Sequence, residues 1–121
     1  MDIFDAVRKG DIIRVRELLN SGIDPDSKNE FDGETPLNVA AAMKHTDIVK
    51  LLLERGADPN NKDKLNGNTP LHEASLKYNR GYTEIVKLLI DYGANLNVQN
   101  FHLQTPLNVA TVQLNIDIVD L

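Results

Sequence analysis

The stretch that decides the fold runs from Ile48 to Ala74 and reads IVKLLLERGADPNNKDKLNGNTPLHEA. It opens with an apolar run at helical spacing, Ile48, Val49, Leu51, Leu52 and Leu53, which Gly56 stops. A polar loop follows, with an Asn66-Gly67 turn, and then a Thr-Pro-Leu-His start. The same order recurs on both sides. Thr35, Thr69 and Thr105 each open a Thr-Pro-Leu, and Gly22, Gly56 and Gly93 each close an apolar helix. Recurrence with a period in the thirties predicts stacked repeats rather than one central core.

The local chemistry of each unit explains its boundaries. A threonine before a proline is a helix start, because the hydroxyl accepts from an orphan N–H and proline has none to waste. Glycine past the last apolar residue is a stop, since it takes the left-handed conformation cheaply. The first pair has no Thr-Pro-Leu. Ile3, Phe4, Ala6 and Val7 form one short apolar stripe and Ile12, Ile13, Val15, Leu18 and Leu19 a second. Asp2, Asp5, Arg8 and Lys9 suit an outward face, so this pair reads as the polar cap that arrays need for solubility. In the second unit Leu37, Ala40 and Ala41 follow the threonine, and the third places Leu71, Ala74, Ile85, Val86, Leu88, Leu89 and Ile90 inside. Thirteen steps separate Thr35 from Ile48, but sixteen separate Thr69 from Ile85, so three residues near Tyr78-Asn79-Arg80 are added between those helices. The fourth unit returns to thirteen steps at Ile118, and Leu121 matches Leu51. The expected helix pairs are residues 2–20, 36–55, 70–92 and 106–121 of one array, divided as 1–28, 29–62, 63–98 and a truncated 99–121. Ile116, Ile118, Val119 and Leu121 would form a helix too short to be stable without packing, so this end is expected to fray or self-associate.

These residues resemble the ankyrin repeat family. The match lies in TPLHEA at Thr69–Ala74, TPLNVAAA at Thr35–Ala42, TPLNVA at Thr105–Ala110, and in IVKLLLERGADPN and IVKLLIDYGANLN. It covers essentially the whole chain. The resemblance implies an all-α solenoid of antiparallel helix pairs joined by outward hairpin loops, with protein partners recognised through hairpin tips and inner helices. There are departures from the family pattern. Asn38 and Asn108 replace a histidine, so its bond to the threonine must be remade by an amide. Lys44 and Leu114 stand where glycine is common, and Leu103 replaces the hairpin glycine kept as Gly33 and Gly67. A turn needing positive φ at Leu103 would be strained.

Composition narrows the function further. The formal charge of −5 lacks the cationic face that nucleic acid and anionic membrane require. No apolar run approaches a bilayer span, and the start, MDIFDAVRKG, has no signal-peptide core. With no cysteine there is no disulfide frame or thiolate chemistry, which suits a reducing cytosol. The expected location is therefore cytoplasmic, or a host cytosol if the source is an intracellular microbe. His45, His72 and His102 fall in three different places of their repeats, which predicts no shared metal site. Asp24, Asp26, Asp58 and Asp63 lack the order of a calcium loop and read as turn formers. No nucleophile elbow or phosphate loop is present, so no cofactor and no catalysis are expected.

The hairpins carry what is individual to this chain. Gly22 to Thr35 and Gly56 to Thr69 are thirteen steps, while Gly93 to Thr105 is twelve. Four positions before each threonine stands an apolar residue, Phe31, Leu65 or Phe101. Either these tuck against neighbouring hairpins or they form a row of anchors for a partner. By motif position, the resemblance implies partner contacts at Phe31, Asp32 and Glu34, at Leu65, Asn66 and Asn68, and at Phe101, His102 and Gln104. Met43, Lys77 and Gln113 at the inner helix ends complete the set. This mixture of apolar anchors with amides and carboxylates suits a selective protein interface. The alternative is an ankyrin segment of a longer effector or signalling enzyme whose catalytic domain lies elsewhere.

Overall fold

The computed structural model describes residues 2–75 and 82–106. Within them the chain forms six α-helices: α1 (Ile3–Lys9), α2 (Ile12–Asn20), α3 (Pro36–Met43), α4 (Thr46–Glu54), α5 (Pro70–Ser75) and α6 (Tyr82–Asp91). No strand occurs among the described residues. Consecutive helices pair as α1 with α2, α3 with α4 and α5 with α6. The inner helices α1, α3 and α5 stack on one another, and the outer helices α2, α4 and α6 do the same. Lys77, the added residues at 78–80, and residues 107–121 of the fourth helix pair, with Gln113, Ile116, Ile118, Val119 and Leu121, lie outside the described residues.

The starts and stops follow the expected chemistry. Thr35 caps α3 by accepting from the Asn38 N–H, with Pro36 in the first turn. Asp2 and Asp11 cap α1 and α2 in the same way. The turn between paired helices needs a left-handed residue, and Gly10 supplies it at φ 72°. Lys44 adopts the same conformation at φ 63° without a glycine's freedom, which costs about 1–2 kcal/mol. Its ammonium donates to the Ala74 carbonyl in the next repeat, which helps to offset that cost.

The core is one ribbon between the two helix layers. Val7, Val15, Leu37, Ile48, Val49, Leu52, Leu71, Ile85, Val86 and Leu89 are all at most 1 % exposed. Each such side chain contributes about 1.5–3 kcal/mol of burial. The alanines Ala40, Ala41 and Ala74 are buried where inner helices approach closely. Several residues of the expected apolar faces lie elsewhere: Ile13 is 67 % exposed on α2, Ile90 is 38 % exposed, and Ile12, Leu18 and Leu88 are only partly buried. Leu53, eight positions after His45 and three before Gly56, is by contrast fully packed. At the other end, counting back from the glycine stops, Arg14 and Glu17 occupy the places that Ile48 and Leu51 fill in α4. The first pair therefore presents charge where the second presents core, as a cap should.

Polar side chains lock the repeats in register. The Asn38 amide donates to the Asn68 carbonyl at 3.1 Å while its oxygen accepts from the Thr35 hydroxyl. His72 does the same one repeat on. Its Nδ1 accepts from the Thr69 N–H, and its Nε2 faces the Gln104 carbonyl at 2.8 Å. An N–H can only donate and a carbonyl only accept, so the ring is neutral with its proton on Nε2. Burial, which disfavours the charged ring, also holds its pKa below the ordinary value. The amide thus remakes the imidazole's bonds to the threonine hydroxyl and to the next carbonyl, but not the one that His72 accepts from the Thr69 N–H.

Candidate functional site

Each hairpin is built by one side chain that folds the loop over itself. Asn29 accepts from the Phe31 N–H, Asp63 from the N–H groups of Asn66, Gly67 and Asn68, and Asn100 from those of His102 and Gln104. The backbone closes each loop at its base, from Asn29 to Glu34, Asp63 to Asn68 and Asn100 to Gln104. Neighbouring hairpins are joined by single backbone bonds, Lys64 N–H to Asp32 O and Phe101 N–H to Asn66 O, both 2.8 Å.

Those bonds define the true equivalences, and they correct the row of anchors. Asn29, Asp63 and Asn100 are matching positions, so Glu30, Lys64 and Phe101 match, as do Phe31, Leu65 and His102. The third hairpin lacks one residue beyond this point, so counting back from Thr105 moves Phe101 out of register. Phe31 and Leu65 stand free at the tips, 87 % and 66 % exposed. Phe101 instead lays its ring over Gly67, where an added Cβ would come within 2.5 Å of the ring. It is still 61 % exposed, so one face remains open. Leu103 takes positive φ, 61°, as the missing glycine implies, and its side chain points into solvent.

The other expected contact residues divide by burial. Asn66 and His102 are exposed, Asp32 is half-buried, and Met43 is 45 % exposed at the end of α3. Asn68 is buried and receives the Asn100 amide on its side-chain oxygen, so it is a structural residue rather than a surface one. Gln104 is partly buried and committed through its carbonyl to His72 and Asn100. Hairpin position alone does not place these two outside the residues that make the fold.

One cluster has no counterpart in the sequence motifs. Oxygens of Glu34 on the first hairpin, Asp63 on the second and Glu73 on α5 lie within 4.8 Å of one another. Glu73 stands four residues after Thr69, where Val39 follows Thr35 and packs in the core. A glutamate in a slot that elsewhere holds valine is the available signal. Burial, then the charge of Glu34 and a hydrogen bond with Asp63, push the Glu73 carboxyl up to about 8. At neutral pH it holds a proton and donates to Asp63. Burial chiefly, with repulsion from Asp32 and Asp63, raises Glu34 as well. Asp63 is spent on the hairpin N–H groups, so the cluster is satisfied from within and serves as architecture. The calcium-like aspartates are likewise turn formers: Asp24 accepts from the Asp26 N–H and Asp58 from that of Asn60. His45 lies against Gly10 with its Nε2 3.2 Å from the Arg8 carbonyl, distant in role from His72. A groove of about 470 Å³ between α4 and α6 alternates Asp47, Lys50, Glu84, Lys87 and Asp91, and so favours no single sign of ligand.

The repeated helix pair, the threonine–histidine bond and the hairpin ladder can be set beside known proteins. The family model for ankyrin repeats (3 copies) matches residues 3–100 and again 62–121. The chain belongs to the ankyrin repeat family. It is similar to the ankyrin repeat, SAM and basic leucine zipper domain-containing protein 1 of the bat Carollia perspicillata, 41 % identical over 105 residues. The same protein of Rhinolophus ferrumequinum is 32 % identical over 105 residues. Both alignments cover 87 % of this chain and 22 % of the relative. The 2-5A-dependent ribonuclease of Mus musculus is 41 % identical over 49 residues, which is 40 % of this chain and 7 % of that protein. The ankyrin chain thus spans about a fifth or less of the curated relatives it matches. No helix among its described residues is long and apolar enough to cross a membrane.

Proposed function

We propose that this ankyrin array is a non-catalytic module that binds a protein partner through its hairpin tips and inner helix ends. The observation that carries the reading is the exposure of Phe31 and Leu65 at matching positions on hairpins that side-chain bonds hold rigid. Pre-ordered apolar tips bind without a large ordering cost. Asp32, Asn66 and His102 surround them with polar groups, and Met43 and the open face of Phe101 extend the surface. Lys77 and Gln113 complete it by motif position. The acidic net charge favours a protein over nucleic acid. The experiment is capture from source lysate with the wild-type chain and with Phe31→Ala and Leu65→Ala, followed by affinity measurement on the partner found. Each substitution should weaken binding by about 1–3 kcal/mol, as anchors do, at an unchanged denaturant midpoint. Equal capture by wild type and variants would overturn the reading.

A second reading treats the array as the ankyrin segment of a longer effector or signalling enzyme. It is favoured by the small share of the relatives that the chain covers, one of them a ribonuclease. In either case the array's own task is recognition, and the expected cellular site is the cytosol.

A further inference from the structure

Of all the asparagines in the chain, only Asn66 is followed by glycine. That pair carries chemistry of its own. In an unfolded chain the glycine nitrogen, with no neighbouring side chain to shield it, attacks the asparagine carboxamide carbon. The attacking nitrogen gives up its proton, the carboxamide nitrogen leaves with that proton as ammonia, and a cyclic imide remains. Water then opens the ring at either carbonyl. The product is aspartate in the ordinary backbone, or isoaspartate with the backbone rerouted through the side chain. Nothing is oxidised or reduced, and water is the one co-reactant.

In the folded protein the Asn66–Gly67 peptide is pinned on both sides. Its carbonyl accepts from the Phe101 N–H at 2.8 Å. Its N–H, that of Gly67, is buried and donates to Asp63 Oδ1 at 2.9 Å. The carbonyl and the N–H belong to one rigid plane, so turning the Gly67 nitrogen towards the carboxamide breaks both bonds together. The same Asp63 oxygen holds the Asn66 N–H at 2.8 Å, and the Phe101 ring covers Gly67. Asn66 itself is exposed to water.

The first hairpin indicates which product the fold accepts. Asp32 and Gly33 stand at the positions of Asn66 and Gly67, and the Asp32 carbonyl accepts from the Lys64 N–H as that of Asn66 does from Phe101. Aspartate therefore fits this place. Isoaspartate instead adds a methylene to the main chain between two pinned groups, which carries the carbonyl out of hydrogen-bond reach.

We propose that Asn66 is a gated deamidation site. Asp63 and the tie to Phe101 hold it unreactive in the closed hairpin, each opening admits ring closure, and the isoaspartate formed cuts the backbone bond between the second and third hairpins. The site lies next to Leu65, but the reaction needs no partner and does not rest on the binding reading above.

The test incubates the full chain in neutral buffer, folded or in guanidinium chloride. Peptide mass mapping follows the conversion of amide to acid, and chromatography separates isoaspartate from aspartate. The folded chain should react about tenfold more slowly than the unfolded one, or slower still, the ratio set by a hydrogen bond to a charged group. Asp63→Ala should bring the native-buffer rate most of the way to the unfolded one at unchanged helical content. In wild type under sub-denaturing guanidinium, exchange of the Gly67 N–H and deamidation of Asn66 should rise in parallel, which tests the gate even where Asp63→Ala fails to fold. The purified isoaspartate form should lose protection of the Phe101 N–H, while Asn66→Asp should keep it. No deamidation in the unfolded chain, equal rates folded and unfolded, or an unchanged rate in folded Asp63→Ala would overturn the proposal. So would deamidation that does not follow Gly67 exchange, or a protected Phe101 N–H in the isoaspartate form.

Discussion

Replacing Glu73 by glutamine should make the protein more stable at neutral pH. The carboxyl titrates near 8 in the folded chain against an ordinary value of 4.5. Between those values the folded protein keeps a proton that the unfolded chain has released. Its contribution is therefore complete below pH 4.5 and is lost as pH rises towards 8. Each unit of that window costs about 1.4 kcal/mol, so the loss between pH 5 and pH 7 is on the order of 3 kcal/mol. Glutamine has the size of the protonated acid and can still donate to Asp63, but it cannot ionise. The assay is urea denaturation of wild type and Glu73→Gln from pH 5 to 8, with the difference between the two stabilities plotted against pH. Taking the difference removes slopes common to both chains, including that of His72. It should lie near zero at pH 5 and reach on the order of 3 kcal/mol in favour of glutamine at pH 7. A flat difference curve, or a glutamine variant that is less stable at pH 7, would refute the account of a buried, protonated glutamate.

Four further outcomes are expected. Gly67→Ala should destabilise by about 1–3 kcal/mol, from the positive φ and the contact with Phe101, and Phe101→Ala in the same chain should recover the contact part in a double-mutant cycle. Leu89→Ala should cost about 2–5 kcal/mol through a core cavity, while Leu88→Ala, partly exposed in the charged groove, should cost clearly less; denaturant midpoints give both. His72→Asn should fold nearly as well as wild type, because Asn38 makes the bonds to the threonine hydroxyl and to the next carbonyl. It should also lose the destabilisation that wild type shows as pH falls below the ordinary histidine value, since the folded ring resists the proton that the unfolded ring accepts; acid titration of stability reads this. Leu103→Gly should be stabilising by up to about 1 kcal/mol, seen as a raised melting temperature.

Features set by near neighbours along the chain are legible in the amino-acid sequence itself. Thr-Pro starts, glycine stops and the turn aspartates Asp24, Asp58 and Asp63 each act within a few residues, and each appears where expected. So do the amide bond at Asn38 and the positive φ at Leu103. Asp26 instead accepts from Asp58 and Asn61 of the next repeat. What is not legible depends on stacking. Counting from Thr105 sets Phe101 at a hairpin tip, but its position is fixed by a bond to Asn66 across the hairpins. Leu88 and Ile90 match core residues of α4, yet what covers α4 is α6, and nothing equivalent among the described residues covers their own faces. The carboxylate cluster joins residues from three segments, so no local pattern shows it. Only the substitution of valine by glutamate within the TPLNVA–TPLHEA pair marks the place.

The two edges of the stack are joined very differently. On the helical side, layers of buried aliphatic side chains tie each repeat to the next. On the hairpin side the backbone tie between neighbours is one N–H to one carbonyl, at Lys64 and again at Phe101. Such a structure resembles a book held firmly at its spine, whose page edges separate at little cost. Bending that fans the tips apart strains hydrogen bonds, the two backbone ties and side-chain ties such as Asn100 to Asn68 and Lys62 to Gln99, whereas bending that pulls the helices apart exposes core. The curvature of the array is therefore its soft coordinate, and a partner seated across Phe31 and Leu65 would fix the spacing of the pages.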